Sequence, residues 1–153
     1  MSSHYRMLIG GELVDASDGA RRESIDPGTG ELVGTCPSAS VKDAQQAVDA
    51  ASRAFESGVW SGLDPKERAR IMMDLSDRIA QHVSELALVE AQDSGGLLRR
   101  TMGDVMGGVR MIRQLARVAQ DEFPWVQQIP DAGSPVFPSR HYARREPIGV
   151  CVG

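Results

Sequence analysis

The fold class is decided by one apolar run at the end of the chain, Ile148-Gly149-Val150-Cys151-Val152-Gly153. Its β-branched residues are typical of a strand that is buried on both faces of a sheet. Such a strand needs paired neighbours, because an unpaired apolar edge promotes aggregation. We therefore predict that residues 148–153 form the first strand of a larger sheet. Because the other strands of that sheet are missing, we also predict that the chain is truncated.

Two segments lead into this strand. Residues 140–147 contain the alternating stretch His141-Tyr142-Ala143-Arg144-Arg145, which predicts an edge strand. Residues 121–139 show no periodicity, so we expect an irregular crossing over the surface. The prolines of that crossing are Pro124, Pro130, Pro135 and Pro138.

Residues 41–120 predict three to four helices. Ser40-Val41-Lys42-Asp43 has the form of a capping box, and Asp64-Pro65 places an N-cap carboxylate before proline. Ser84 is expected to cap a third helix that stops at Gly95-Gly96. Apolar residues at helical spacing predict the buried faces. For the first helix these are Val41, Ala44, Val48, Ala51 and Phe55.

The last helix, from about Leu98 to Gln120, is unusually rich in glycine. Gly103, Gly107 and Gly108 each weaken it by roughly 1 kcal/mol relative to alanine. The apolar period nevertheless continues through this stretch, so a helix remains the prediction.

Residues 6–36 predict β-hairpins. Gly10-Gly11 lies between two short apolar strands and suits the positive φ angles of a two-residue turn. A second turn is predicted at Pro27-Gly28-Thr29-Gly30, between two further strands. Because strands flank these glycines on both sides, they do not form a dinucleotide-binding motif, which must open a helix.

Composition excludes several classes of partner. The chain has 17 basic and 21 acidic residues and no basic stripe, so nucleic acid is not an expected partner. No apolar run approaches the length of a membrane span, and the N-terminus lacks a signal-peptide pattern. We therefore expect no membrane partner and a cytoplasmic location.

No residue cluster by itself identifies a reaction. Cys36 and Cys151 lack a local histidine or a helix N-terminus that would lower the thiol pKa, so buried structural thiols are expected. Glu90, Asp93 and Asp104 could form an acid/base pair or a cation site, although solvated or capping acids are the simpler interpretation.

Five local motifs in order resemble the aldehyde dehydrogenase family, and they cover about residues 6–153. They are Ile9-Gly10-Gly11-Glu12-Leu13-Val14-Asp15, Ile25-Asp26-Pro27-Gly28-Thr29-Gly30-Glu31, Trp60 with Pro65-Lys66-Glu67-Arg68-Ala69-Arg70, Glu90-Ala91-Gln92-Asp93-Ser94-Gly95, and Arg145-Glu146-Pro147-Ile148-Gly149-Val150. The resemblance implies an α+β fragment of an α/β enzyme with a Rossmann-like sheet.

The resemblance also implies an oxidoreductase that converts an aldehyde to a carboxylate with NAD or NADP. The family's reactive cysteine, glutamate and asparagine would lie beyond the C-terminal end of this chain, which contains no asparagine. Neither Cys36 nor Cys151 matches the nucleophile's motif. We therefore expect no catalytic residue here, no cofactor bound to this chain alone, and no activity from it alone.

Three further roles follow from the resemblance alone. A monovalent cation would lie between Asp93 and the backbone carbonyls of Ser24 and Ile25. The helix at 98–120 would border the substrate tunnel, which Gly108 and Ile112, with Gly107 and Met111, would help to line. The strand at 140–147 would bridge subunits of a homo-oligomer.

The chain departs from the family pattern at two places near the cation region. Gly96-Leu97 stands where the family usually has Lys-Pro, and Asp26 stands where it usually has Asn. Two alternatives to an enzyme fragment stay open, namely a stand-alone module that associates with a full-length dehydrogenase subunit and a truncated reading frame without function.

Overall fold

The computed structural model describes residues 3–130 and 140–153. The first part of the chain forms short strands, as the turn motifs predicted. These are β1 (Ser3–His4), β2 (Met7–Ile9), β3 (Glu12–Val14), β4 (Arg21–Ile25) and β5 (Leu32–Pro37).

Strands β2 and β3 form the predicted antiparallel hairpin, with Leu8 opposite Leu13. Gly10 and Gly11 have φ angles of 61° and 90°. Side chains with a Cβ are disfavoured at such angles, so the Gly-Gly pair fits this turn.

Strand β5 is the centre of a three-stranded sheet, pairing antiparallel with β4 and parallel with β1. The pairing with β1 was not predicted, because Ser3–His4 is too short to show alternation. A Cβ on Gly34 would lie 2.6 Å from the carbonyl oxygen of Ser3. Glycine at position 34 therefore lets the β1 backbone approach closely.

Four α-helices follow, as expected for residues 41–120. They are α1 (Val41–Glu56), α2 (Pro65–Gln81), α3 (Val83–Ser94) and α4 (Leu98–Arg117).

Most of the predicted helix ends are confirmed. Ser40 and Asp43 form the capping box of α1, and the Asp64 side chain accepts from the Lys66 N–H at the start of α2. Gly95 ends α3 with φ 70°. The prediction for Ser84 was wrong, since α3 begins at Val83 and has no side-chain cap.

Helices α2, α3 and α4 pack on one another, and small residues make this close packing possible. The buried side chains between them are Ala69, Ser76, Ala87, Thr101, Val109 and Ala116. The register of α4 is further fixed by polar contacts to α2 and α3, which are described with the candidate site.

Helix α1 lies apart from this bundle, and its prediction needs a correction. Its residues are helical, but the expected apolar face is largely exposed: Val41 is 89% exposed, and Phe55 and Val48 are each 38% exposed. The spacing that predicted a buried stripe identified the helix correctly. It could not show whether a partner surface is present within these residues.

The predicted irregular crossing at 121–139 was only partly right. Residues 118–122 form a π-helical turn after α4, and strand β6 (Val126–Ile129) lies within the supposed crossing. It pairs antiparallel with β7 (His141–Arg144), which confirms an edge strand within 140–147. The strand was missed because Gln127 and Gln128 break the apolar alternation. Residues 131–139 lie outside the described residues.

Residues 148–153 form no strand in this structure, contrary to the prediction. A strand is stabilised by hydrogen bonds to a neighbour, and no described segment pairs with this run. Ile148 and Val152 are 93% and 83% exposed. The α+β class is confirmed, with four helices and small separate sheets.

Candidate functional site

The turn after β4 lies against the end of α3. The Ser24 hydroxyl donates a short hydrogen bond to Oδ1 of Asp93, across 69 positions of sequence. A Cβ on Gly95 would lie 2.7 Å from Cγ of Pro27. Two motifs separated in sequence therefore meet here, and with them come the residues expected to hold a cation.

The local geometry at this junction has features for and against a cation. The β4–β5 register shifts between Ser24 and Ile25, which breaks the regular ladder beside Asp93. The pKa of Arg22 is raised mainly by its hydrogen bond to Cys36 and by the charge that Cys36 carries as a thiolate, against desolvation, and to a smaller extent by the charge of Asp93.

Histidine, cysteine and acidic side chains do not gather into a metal site anywhere in residues 3–130 or 140–153. A cation at the junction would therefore depend on Asp93 and backbone oxygens alone. The Asp93 carboxylate already accepts the hydrogen bond from Ser24 there.

The outer face of α4 carries the residues expected to border a substrate tunnel. Met111 is 64% exposed and Ile112 is partly buried. Nothing lies within 4 Å of a Cβ built on Gly108. This face is therefore exposed and apolar. Because position 108 is glycine, no side chain occupies the space beside it.

Two polar side chains hold α4 in place through three hydrogen bonds, and sequence reasoning missed both side chains. The buried hydroxyl of Thr101 donates to the Ala87 carbonyl of α3 at 2.8 Å. Arg113 donates to Ser76 Oγ at 3.0 Å and to Asp77 Oδ1 at 2.5 Å on α2.

These contacts have only a weak signal in the sequence. A serine and a threonine at core positions of helical periods are hints of buried partners, since buried hydroxyls are nearly always hydrogen-bonded. Their partners are set by how the helices pack.

Neither cysteine is placed as a nucleophile. Cys36 lies in β5, where Nε of Arg22 donates to its sulfur at 3.4 Å. Cys151 is exposed in the irregular C-terminal segment, contrary to the expectation that it is buried. No histidine contacts either thiol within the described residues.

A cleft of about 850 Å³ opens between α1, the start of α2 and the segment that follows β7. Three aromatic residues and three arginines are among the residues that line it. Its main side chains are Phe55, Trp60, Arg68, Trp125, Arg144 and Glu146. Sequence periodicity gave no sign of this cleft, because its lining residues lie in segments that are far apart in the sequence.

The hairpin formed by β6 and β7 has apolar side chains that are exposed to solvent. Val126, Tyr142 and Ile129 are 62%, 56% and 45% exposed. Among residues 3–130 and 140–153 this sheet has two strands, so each strand has one edge that pairs with no other described strand. Such edges pair readily with another strand.

None of the helices in the described part of the chain is long and apolar enough to cross a membrane.

The sequence pattern of the aldehyde dehydrogenase family matches residues 13–153. The chain is 33% identical over 153 residues to cytosolic 10-formyltetrahydrofolate dehydrogenase of Mus musculus, covering 96% of this chain and 16% of that protein. It is 33% identical over 147 residues to the putative aldehyde dehydrogenase DhaS of Bacillus subtilis, covering 95% of this chain and 28% of that protein.

Solved structures agree. An NAD-dependent aldehyde dehydrogenase from Sinorhizobium meliloti superposes with a TM-score of 0.81 at 34% identity, covering 87% of this chain and 26% of that chain. Betaine aldehyde dehydrogenase from Staphylococcus aureus, solved with NAD⁺, gives a TM-score of 0.78 at 29% identity, covering 83% of this chain and 25% of that chain. This chain thus spans well under a third of these relatives.

Proposed function

Since this chain belongs to the aldehyde dehydrogenase family, we propose that the complete product of its gene oxidises an aldehyde to a carboxylate with NAD or NADP. The observation that carries the proposal is the match of both sequence and fold over most of the chain. In this proposal the 153 residues are the N-terminal scaffold of the enzyme. They position a substrate wall and an assembly surface, and they supply no reacting group.

We infer that these residues alone do not catalyse the reaction. Cys36 is tied to Arg22 within a sheet, and the chain has no asparagine that could stabilise an oxyanion. The glycine-rich turn at 28–30 supports the further proposal that this chain alone binds no dinucleotide. The Gly28–Gly30 turn joins two antiparallel strands, and Asp26 Oδ1 already accepts from the Gly28 N–H.

The first experiment is an aldehyde-dependent assay of NAD(P)H formation. It compares the purified 153-residue chain with the complete product of the same gene. Activity in the complete product alone supports a scaffold role for these residues. Activity in the 153-residue chain would contradict the scaffold role, and inactivity of both with a broad panel of aldehydes would contradict the proposed reaction.

We propose that the open face of α4, including Gly108 and Ile112, lines the substrate tunnel of the complete enzyme. The absent Cβ at Gly108 leaves room on that wall, and the neighbouring Met111 makes it apolar. Replacing Gly108 with valine should lower kcat/KM for a bulky aldehyde more than for acetaldehyde. An equal effect on both substrates would contradict the proposal that Gly108 lines the tunnel.

At the Ser24–Asp93 junction we propose a monovalent cation held by Asp93 and the carbonyls of Ser24 and Ile25. Oxygen ligands suit a hard cation, and the Asp93 carboxylate also accepts a hydrogen bond from Ser24. Potassium should raise the melting temperature of the wild type more than a large organic cation does, and Asp93→Ala should abolish that difference. If both cations change the melting temperature of the wild type equally, the proposed cation site is contradicted.

For assembly, we propose that the β6–β7 hairpin bridges subunits of a homo-oligomer. Its exposed apolar side chains support this role, as does a sheet that has two strands within the described part of the chain. The same surface favours the second candidate function, a module that associates with a full-length dehydrogenase subunit. Co-purification of the 153-residue chain with an active dehydrogenase from its own source would favour the module.

The cytoplasmic location stays a prediction. The curated relatives include both cytosolic and mitochondrial 10-formyltetrahydrofolate dehydrogenases. Fractionation of the source cells with antibody against this chain tests it directly.

A further inference from the structure

Trp125 lies at the root of the β6–β7 hairpin. It directly precedes β6, and its carbonyl accepts from the N–H of Arg145, the residue directly after β7. Its indole Nε1 donates to the carbonyl of Ala119, in the π-helical turn after α4, at 2.8 Å. The residue that closes the hairpin therefore also ties it to the helical body.

Arg68 of α2 adds a second tie at the same point. Its guanidinium carbon lies 5.2 Å from the centroid of the Trp125 ring, within the range of a cation–π contact. One nitrogen of the same guanidinium donates to the carbonyl of Leu63, just before α2. Arg68 is partly buried, so its charge is less screened than on an open surface.

The ring of Trp125 is held on another side by Phe123, with centroids 4.6 Å apart and planes inclined at 59°. This tilted arrangement is one that aromatic pairs favour. Three constraints thus act on one indole: a hydrogen bond to Ala119, a tilted contact with Phe123, and the cation of Arg68.

Among the described residues, β6 and β7 pair with each other, and the root of the hairpin carries these contacts to the helices. A rigid root fixes the direction in which a two-stranded ribbon projects. Preorganisation of this kind lowers the entropy lost when the ribbon pairs with another chain.

We propose that Arg68 is a positioning residue for assembly: its contact with Trp125 orients the β6–β7 hairpin for pairing with a second copy of the chain. This inference rests on the proposed assembly role of the hairpin. It adds that a residue of α2, outside the pairing surface, sets the strength of association.

The test uses the complete product of the gene and sedimentation equilibrium. Arg68→Gln removes the charge and should raise the dissociation constant of the oligomer about tenfold, the scale of one partly desolvated cation–π contact. Arg68→Lys keeps a cation and should recover part of the loss. The matched control is Arg70→Gln, two residues along α2, where an exposed ion pair with Asp74 is lost and association should not change.

A double-mutant cycle with Trp125→Leu separates orientation from general loss of stability. If the contact acts as proposed, Arg68→Gln has no further effect on the dissociation constant once Trp125 is replaced. Additive effects, or an unchanged dissociation constant in Arg68→Gln, would overturn the inference while leaving the assembly role intact. A wild-type protein that is monomeric at all concentrations would instead overturn the assembly role on which the inference rests.

If Arg68→Gln is poorly folded, the comparison of Arg68→Lys with the wild type replaces the cycle as the test. Arg68→Lys retains the hydrogen-bonding cation and is compared with the wild type at matched helical content by circular dichroism. A lysine variant with wild-type helicity and weakened association supports orientation, whereas loss of helicity in parallel with association contradicts it.

Discussion

Both carboxylate oxygens of Asp43 accept from the backbone N–H of Ser17, each at 3.2 Å, across 26 positions of sequence. One of these oxygens also accepts from the N–H of Ser40 at 2.9 Å in the capping box of α1. Asp43 therefore joins the loop after β3 to the first turn of a helix that has few other contacts with the rest of the chain.

These hydrogen bonds make stability depend on pH. Hydrogen bonds from Ser40 lower the pKa of Asp43 from 3.8 to about 2, against an opposing effect of desolvation and with further help from Ser17. A lowered pKa in the folded state means that the unfolded chain binds the proton more tightly. The stabilisation is present above pH 3.8 and is lost as the pH falls towards 2.

The variant Asp43→Asn should therefore show a flatter decline of melting temperature over that acidic interval than the wild type does. Thermal unfolding followed by circular dichroism at a series of pH values measures the difference. Asp49→Asn, an exposed change on the same helix, is the control. Parallel curves for wild type and Asp43→Asn would show that Asp43 does not contribute to the acid response.

The buried hydroxyl of Thr101 gives a second prediction. Thr101→Val keeps the shape but removes the hydrogen bond to the Ala87 carbonyl, and it should lower the free energy of unfolding by about 1 kcal/mol. Thr101→Ser keeps the hydroxyl and serves as the matched control. Urea unfolding of the three proteins measures the change, and equal stability of the valine variant and the wild type would contradict it.

Two glycines should respond in opposite directions to alanine. Gly108 has open space where a Cβ would lie, so Gly108→Ala should stabilise α4 by roughly 1 kcal/mol. Gly95 has φ 70° and would place its Cβ 2.7 Å from Pro27, so Gly95→Ala should destabilise the chain by at least about 1 kcal/mol. Urea midpoints that shift in the same direction for both variants would contradict this assignment.

Arg113 gives a prediction about how α4 is held on α2. Arg113→Met keeps much of the aliphatic stem but removes the bonds to Ser76 and Asp77, and it should cost about 1 kcal/mol, because the ion pair is partly exposed. Arg110→Met, one turn earlier on the exposed side of α4, should cost little. If both variants unfold at the same urea concentration, the bonds of Arg113 add no stability.

Local chemistry was the part of the fold that the sequence could predict. The Gly10-Gly11 turn, the capping box at Ser40 and the left-handed stop at Gly95 each depend on residues within a few positions of one another. Structural features that depend on such short-range patterns can be predicted from a single sequence.

The predictions that failed concern contacts between residues that are distant in the sequence. The apolar spacing of α1 predicted a buried face, but burial needs a second surface, and Val41 and Phe55 remain substantially exposed. Strand β6 lacked alternation and is defined by its pairing with β7. The apolar run 148–153 has strand composition and no neighbour to pair with among the described residues.

The candidate site shows the same division. Ser24 and Asp93 were connected through the family motifs, and the structure brings them into contact. Arg68 and Trp125 belong to no shared motif and lie 57 positions apart, so their contact could not be read from spacing.

The large apolar surface left open by α1 and residues 148–153 leads to a prediction about solution behaviour. The 153-residue chain should self-associate and bind a dye that fluoresces on apolar surfaces. Light scattering across a concentration series measures the association. A monodisperse monomer that unfolds cooperatively would contradict the prediction.

The parallel pairing of β1 with β5 matters for anyone who prepares this protein. Ser3 and His4 form an outer strand of a sheet, and their backbone lies so close to Gly34 that a side chain at position 34 would force a shift. Trimming the chain to begin at Tyr5 would bare the hydrogen-bonding edge of β5. An affinity tag is therefore better attached to the other terminus, or separated from Ser3 by a flexible spacer.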